Sequence, residues 1–121
     1  MDIETTIGNQ MARYLDLATD LTKVTAANMA NIDTPGYRTL GMDFEAEMRQ
    51  AMGDVATGKP SRRAQVHGIV DGLISRPDGN NVSMDQEGLN LAEAQLKFKT
   101  GVSLLHLEYQ KIMNAIHVQD K

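Results

Sequence analysis

Asn28-Met29-Ala30-Asn31-Ile32-Asp33-Thr34-Pro35-Gly36-Tyr37-Arg38 is the stretch whose reading decides the fold. It closes a long amphipathic helix and turns the chain away from it. Thr34 precedes Pro35, and a residue before proline is pushed out of the α region, so the helix should stop near Ile32 or Asp33. Pro35 and Gly36 suit the two central positions of a type II turn. Upstream, Ile3, Ile7, Tyr14, Leu17, Leu21 and Val24 recur at helical spacing, with Gln10, Asn28 and Asn31 on the same seam. Met11, Ala18, Thr25 and Ile32 flank that seam, while Asp16, Asp20 and Lys23 lie off it. The spacing predicts a helix over 3–33, roughly 45 Å long at 1.5 Å per residue.

Two explanations fit the asparagines that interrupt the seam. Asn28 and Asn31 could mark a fraying helix end. They could equally bond to neighbouring backbone and fix register, as a buried polar residue does in a coiled coil.

Working outward, a turn and short helix are expected over 34–52. Asp43 can cap the helix, Phe44, Met48 and Met52 line one face, Glu45 and Arg49 are spaced to pair, and Gly53 is a plausible stop. Residues 53–80 differ: seven of these 28 positions are Gly or Pro, which predicts a flexible middle. Val66, Ile69, Val70, Leu73 and Ile74 could form a short strand or hairpin, and Pro77-Asp78-Gly79-Asn80 is a turn. Lys59, Arg62 and Arg63 beside Pro60 make the one dense basic cluster; it suits a solvated loop or an acidic partner.

Ser83-Met84-Asp85-Gln86 fits a capping box and opens a second long helix over 83–118. Its main stripe is Leu91, Ala94, Phe98, Val102, Leu105, Tyr109, Ile112 and Ile116; Leu89, Leu96, Leu107 and Val118, with Leu104 near them, fall on the opposite side. The first helix can cover one stripe. The second needs cover from neighbouring subunits or from the middle folding over it. The expected fold is therefore mainly α and a single domain over 1–121. Its long terminal helices pack as an antiparallel coiled-coil-like pair around a short helix and a Gly/Pro-rich middle that could contain β structure.

Composition narrows the function. With 41% hydrophobic and 4% aromatic residues, eight Met and no Trp, the core is thin and weakly specified. A net charge of −4 disfavours nucleic-acid binding. The absence of cysteine rules out disulfides and thiolate metal sites. Met1-Asp2-Ile3-Glu4 is acidic where a leader would be basic, and no stretch nears the ~20 apolar residues that span a bilayer. His67, His106 and His117 have no metal-ligand spacing, so neither a metal nor a cofactor is expected. Glu45 and Glu47 would lie about 200° apart on a helix, which does not make an acid/base pair. No nucleophile elbow, P-loop, dinucleotide fingerprint or His-Glu-x-x-His is present, so no enzyme is expected.

The stretch 28–38 is similar to the Asn-x-Ala-Asn-x-x-Thr-Pro-Gly-Tyr box near the N-terminus of the flagellar rod and hook axial proteins. Within that family, Asp43-Phe44 after the box and Asp78-Gly79-Asn80-Asn81-Val82 before the last helix look like a proximal rod protein. The resemblance covers roughly residues 7–52 and 78–116; the middle matches nothing recognisable. It implies a structural subunit whose terminal helices pack, from many copies, into a hollow torque-bearing rod. The implied partners are further copies, other rod proteins, the membrane-embedded ring of the basal body and the flagellar type III export apparatus. The implied location is the rod in the periplasm, reached without cleavage of a leader. The assembly interface expected on this basis is Ile7, Tyr14, Leu17, Leu21 and Val24 on the first helix and Phe98, Val102, Leu105, Tyr109, Ile112 and Ile116 on the last. Leu89, Leu96 and Leu107 would form its second stripe, and Asn28, Asn31, Pro35, Gly36 and Tyr37 its corner. The alternative is a small soluble helical adaptor or export chaperone whose helices close into a dimer of fixed stoichiometry.

Overall fold

The computed structural model describes residues 2–60, 62–66, 70 and 72–119, with side chains from Thr6 to Val118. The side chain of Ile3, and His67 and Ile69 entirely, lie outside the described residues. Three helices follow in order: α1 (Asp2–Ala30), α2 (Phe44–Ala56) and α3 (Met84–Gln119). Asn28 meets Glu87, and Tyr14 lies against Gly101, so α1 and α3 run antiparallel. That register carries the end of α3 past the start of α1. The described residues contain no extended strand; Val70 N–H donates to Thr39 O at 3.2 Å beside an isolated bridge at Gly41.

α1 ends at Ala30, and residues 31–33 form turns instead of the last helical residues expected. Tyr37 N–H donates to Thr34 O at 3.2 Å and Gly36 has φ +75°, as a type II turn at Pro35-Gly36 requires. Asp43 caps α2, its Oδ1 accepting from Ala46 N–H at 3.0 Å. α2 then runs through Gly53, where a stop was plausible, to Ala56. One helical glycine costs only about 1 kcal/mol against alanine, too little to stop the helix by itself. Glu45 and Arg49 form no ion pair; the acid of α2 that pairs is Glu47, with Arg62 at 3.4 Å. The basic cluster thus folds back on its own chain at Arg62. At α3, Ser83 Oγ accepts from Gln86 N–H at 3.4 Å, but Gln86 turns its side chain to Asn90, so only half of the capping box forms.

The seam between α1 and α3 is rotated from the stripe that hydropathy suggests. The covered positions of α3 are Glu87, Asn90, Leu91, Ala94, Lys97, Gly101, Leu105, Glu108 and Ile112, along one side of the helix with Phe98 at its margin. Val102, Tyr109 and Ile116, which hydropathy places in that stripe, are exposed. The cause is close approach: a Cβ on Gly101 would sit 2.7 Å from Tyr14 Cδ1 and 2.8 Å from Leu15 Cδ2. Ala94 and Ala18, both fully buried, allow the same nearness further along. On the other side of α1, Leu17 packs toward Ala51 of α2, and the Phe44 ring meets Tyr14 edge-on at 5.6 Å.

Candidate functional site

More of the fully buried side chains described are polar than apolar, and most of the polar ones gather where α1 ends and α3 begins. Asn28 is the hub. Its Nδ2 donates to Leu40 O at 2.8 Å and to Glu87 Oε2 at 3.1 Å; its Oδ1 accepts from Leu40 N–H at 2.9 Å and Tyr37 O–H at 3.0 Å. Two donors and two acceptors are all a carboxamide has, and all four are used. One side chain on α1 thereby holds the returning segment at Leu40, the hydroxyl of Tyr37 and the first turn of α3.

Asn80 performs the second closure. Its Nδ2 reaches the carbonyls of Asn31, Ile32 and Thr34 at 2.8, 2.9 and 2.8 Å, and its Oδ1 accepts from Val82 N–H at 2.9 Å. These carbonyls belong to the turns that follow α1, so a residue far downstream pins the chain where it leaves the helix. Arg76 Nη2 also donates to Ile32 O. Asn81 completes the set, its Oδ1 accepting from Thr39 N–H at 2.7 Å and Thr39 Oγ1 at 2.9 Å. Gly36 N–H donates to Asp78 O at 2.8 Å. Gly36 and Gly79 both have positive φ, and a Cβ on Gly79 would lie 3.5 Å from Gly36 Cα, so two glycine turns rest on each other.

Asn28 and Asn31 therefore divide the two explanations between them. Asn28 fixes register across three segments. Asn31 serves the helix end, its Nδ2 returning to Ala27 O at 2.8 Å and its Oδ1 accepting from Thr34 Oγ1. Pro35 and Gly36 are exposed on the turn, and Tyr37 is half-buried. Leu17 and Val24 are buried within the chain, while Ile7, Tyr14, Leu21, Leu105 and Ile112 are half-buried along the seams. Leu89, Leu96, Phe98, Val102, Leu107, Tyr109 and Ile116 are exposed. Sequence reasoning did not single out Glu87, Thr39, Gly101 or the roles of Asn80 and Asn81. A charged residue four before Leu91 and seven before Ala94, on the helix seam, was the one signal for Glu87.

Burial and the nearby Glu87 carboxylate raise the Tyr37 phenol above its ordinary value of 10.0. The folded chain thus favours the protonated phenol. That stability is complete below pH 10 and lost as pH climbs through the raised value. Tyr37→Phe should flatten this alkaline limb in thermal melts above about pH 10 while losing the bond to Asn28. An unchanged limb would assign the loss to other groups.

Among the described residues, no cluster of His, Asp and Glu is arranged to hold a metal ion, and no helix is long and apolar enough to cross a membrane. The arrangement does structural work: a locked corner and a long helix with an uncovered apolar face.

Residues 21–38 match the family described as flagella basal body rod protein, a span that ends in the corner itself. Over 119 residues the chain is 31% identical to the flagellar basal body rod protein FlgB of Salmonella typhimurium strain LT2, covering 84% of this chain and 86% of that protein. The chain belongs to the FlgB family of flagellar basal body rod proteins. FlgB of Cereibacter sphaeroides strain ATCC 17023 is 30% identical over 115 residues, covering 87% and 89% of the two chains. FlgB of Escherichia coli K12 is 28% identical over 119 residues, covering 84% and 86%. As a FlgB-family chain it is a structural rod subunit of the flagellar basal body and assembles with other rod components. The adaptor reading is not favoured. The rod-protein family match to residues 21–38 spans the last turns of α1, the Thr34-Pro35-Gly36 turn and Tyr37, so it includes Asn28 and one of its three partners, Tyr37, but not Leu40 or Glu87.

Proposed function

We propose that this chain is a single-domain subunit of the proximal rod that polymerises through its terminal helices into a hollow tube and transmits torque along it. The carrying observation is α3, where eleven large apolar side chains stay exposed in two stripes on either side of its seam, Leu89 and Leu96 at 67% and 66% among them. A stable lone subunit rarely leaves so much apolar surface in water. Covering each side chain contributes about 1.5–3 kcal/mol, enough over several contacts to hold a stiff polymer. The rotated seam sorts the expected interface. Leu89, Leu96, Phe98, Val102, Leu107, Tyr109 and Ile116 are the surface that neighbours cover. Ile7, Tyr14, Leu17, Leu21, Val24, Leu105 and Ile112 hold each subunit's own helices together beneath it. Asn28, Asn31, Pro35, Gly36 and Tyr37 keep the corner's angle, which repeats in every copy.

The finer partners belong to the same proposal: the membrane-embedded ring at the rod's base and the type III export apparatus, which would deliver the chain to the periplasm without cleaving a leader.

Leu96→Asp tests the reading better than a change at Leu105, since Leu105 lies in the intramolecular seam. The variant should keep its helical circular dichroism and thermal midpoint, because Leu96 is exposed. It should nevertheless leave cells non-motile, with basal bodies lacking a rod in electron tomograms. Normal rods in cells carrying only Leu96→Asp would remove this face from the interface.

A further inference from the structure

We infer that the basic chain following α2, which carries Lys59, Arg62 and Arg63, is a strap held over the acidic side of α2 by charge. Salt or a competing anion releases it while the helices stay packed. The inference stands apart from the rod reading and gives the subunit a moving part.

α2 buries two carboxylates on one face. Glu47 and Asp54 are 7% and 5% exposed, and a spacing of seven residues sets them on the same side of the helix. Acids are almost never so covered unless something pairs with them. Asp54 Oδ1 accepts from Gln50 Nε2 at 3.1 Å, on its own helix. Glu47 depends on Arg62, 3.4 Å away in the chain that follows. The end of α2 turns that chain back. Lys59 N–H donates to Asp54 O at 2.8 Å and Gly58 N–H to Val55 O at 3.2 Å, with Gly58 at φ +70°. These two bonds make a glycine cap of the Schellman type, which reverses the chain against the helix it has just left. From Thr57 to Val66 the sequence holds three cations and no acid.

Apolar burial does not hold the strap in place, since residues 57–60, 62 and 63 are all exposed. Beside Arg62 and Arg63 runs a groove of about 260 Å³, floored by Leu17 and Ala51, with Asp16, Asp20 and Lys23 along its α1 wall. A polar groove of that size admits water. The corner is shut by a buried network; the strap is shut, among the described residues, by one ion pair whose arginine side chain is 40% exposed. A pair so open to water contributes little and is weakened by salt. Strap closed and strap open are therefore close in free energy, and the cap at Gly58 is the pivot between them. An acidic surface that takes Arg62 from Glu47 opens the strap and gains access to the groove.

Trypsin reads the strap directly, because it cuts after Arg63 and needs a detached, extended chain to do so. Cutting of the purified full chain is followed by mass spectrometry and normalised to a small amide substrate. The rate should rise about twofold to fivefold between about 0.01 M and about 1 M sodium chloride, as the screening length falls from about 30 Å to about 3 Å. Helical circular dichroism should stay constant. Glu47→Gln and Arg62→Gln should each reach the high-salt rate already at low salt, and salt should then change little. The exposed Arg62 makes its variant safe for folding. Both changes together should do no more than either alone, because they break the same pair. Equal rates in the parent and both variants at low salt would overturn the inference, as would additive effects of the two changes. Faster cutting that comes only with loss of helical signal would also overturn it, since the segment would then be part of the helix packing.

Discussion

Asn28→Leu is expected to destabilise the chain by about 3–5 kcal/mol, because it strands several buried polar groups at about 1–3 kcal/mol each. Leucine nearly preserves the volume, so packing is not the issue. What remains is a set of stranded groups: the N–H and C=O of Leu40, the Tyr37 hydroxyl and the Glu87 carboxylate, which is 1% exposed. Each unsatisfied buried group costs about 1–3 kcal/mol, and the half-exposed Tyr37 contributes least because water can reach it. A domain of this size has of the order of 10 kcal/mol in all, so the variant should melt tens of degrees lower or lose cooperativity. Asn28→Asp separates the causes. It keeps the shape and sets a second carboxylate against Glu87. Its deficit against the parent should therefore be larger at pH 7 than at pH 4.5, since protonation relieves repulsion between two buried acids. A loss below about 1 kcal/mol for Asn28→Leu in denaturant titrations would mean that water replaces the carboxamide without penalty.

Gly101→Leu should have the second largest effect, about 2–3 kcal/mol, by forcing the terminal helices apart. The first added carbon already falls 2.7 Å from Tyr14 and 2.8 Å from Leu15. A leucine places three more carbons in the same space, and the displaced Tyr14 ring loses its edge contact with Phe44. Gly101→Ala is the informative control. It gains up to about 1 kcal/mol of helix propensity, and its single methyl meets side-chain atoms, of which the tip of Leu15 moves readily. The two contributions should nearly cancel, leaving Gly101→Ala within about 1 kcal/mol of the parent while Gly101→Leu falls well below it. Equal losses for both would place the constraint in the backbone and not in the seam.

The contrast between these sites explains what the sequence discloses. α1, the Pro35-Gly36 turn and the Asp43 cap are legible because their causes are local: a spacing, a fixed φ, an oxygen three residues from an N–H. The seam of α3 is not legible from hydropathy. Gly101 counts as blank and Glu108 as polar, so Val102 and Tyr109 outrank them, although the helix pair selects for size at contact. Glu87 reads as an ordinary first-turn acid until Asn28, 59 residues away, is brought to it. Arg62 reads as part of a solvated basic loop until the fold sets it beside Glu47. Of the corner, the residues themselves are visible in sequence, and the resemblance of residues 28–38 and 78–82 to axial proteins marks both halves. Their mutual bonding is tertiary and has no signature along the chain.

The closure after α1 also orders events in time. Asn80 pins turns that begin some fifty residues before it, and Glu87 completes the hydrogen bonding of Asn28 from later still. A chain that emerges N-terminus first exposes α1 with the turns after it unpinned and its seam bare. A lone helix bearing polar Asn28 on its apolar face has little to hold it. The corner can shut only when the start of α3 has arrived, so an incomplete chain stays pliable where the finished one is rigid.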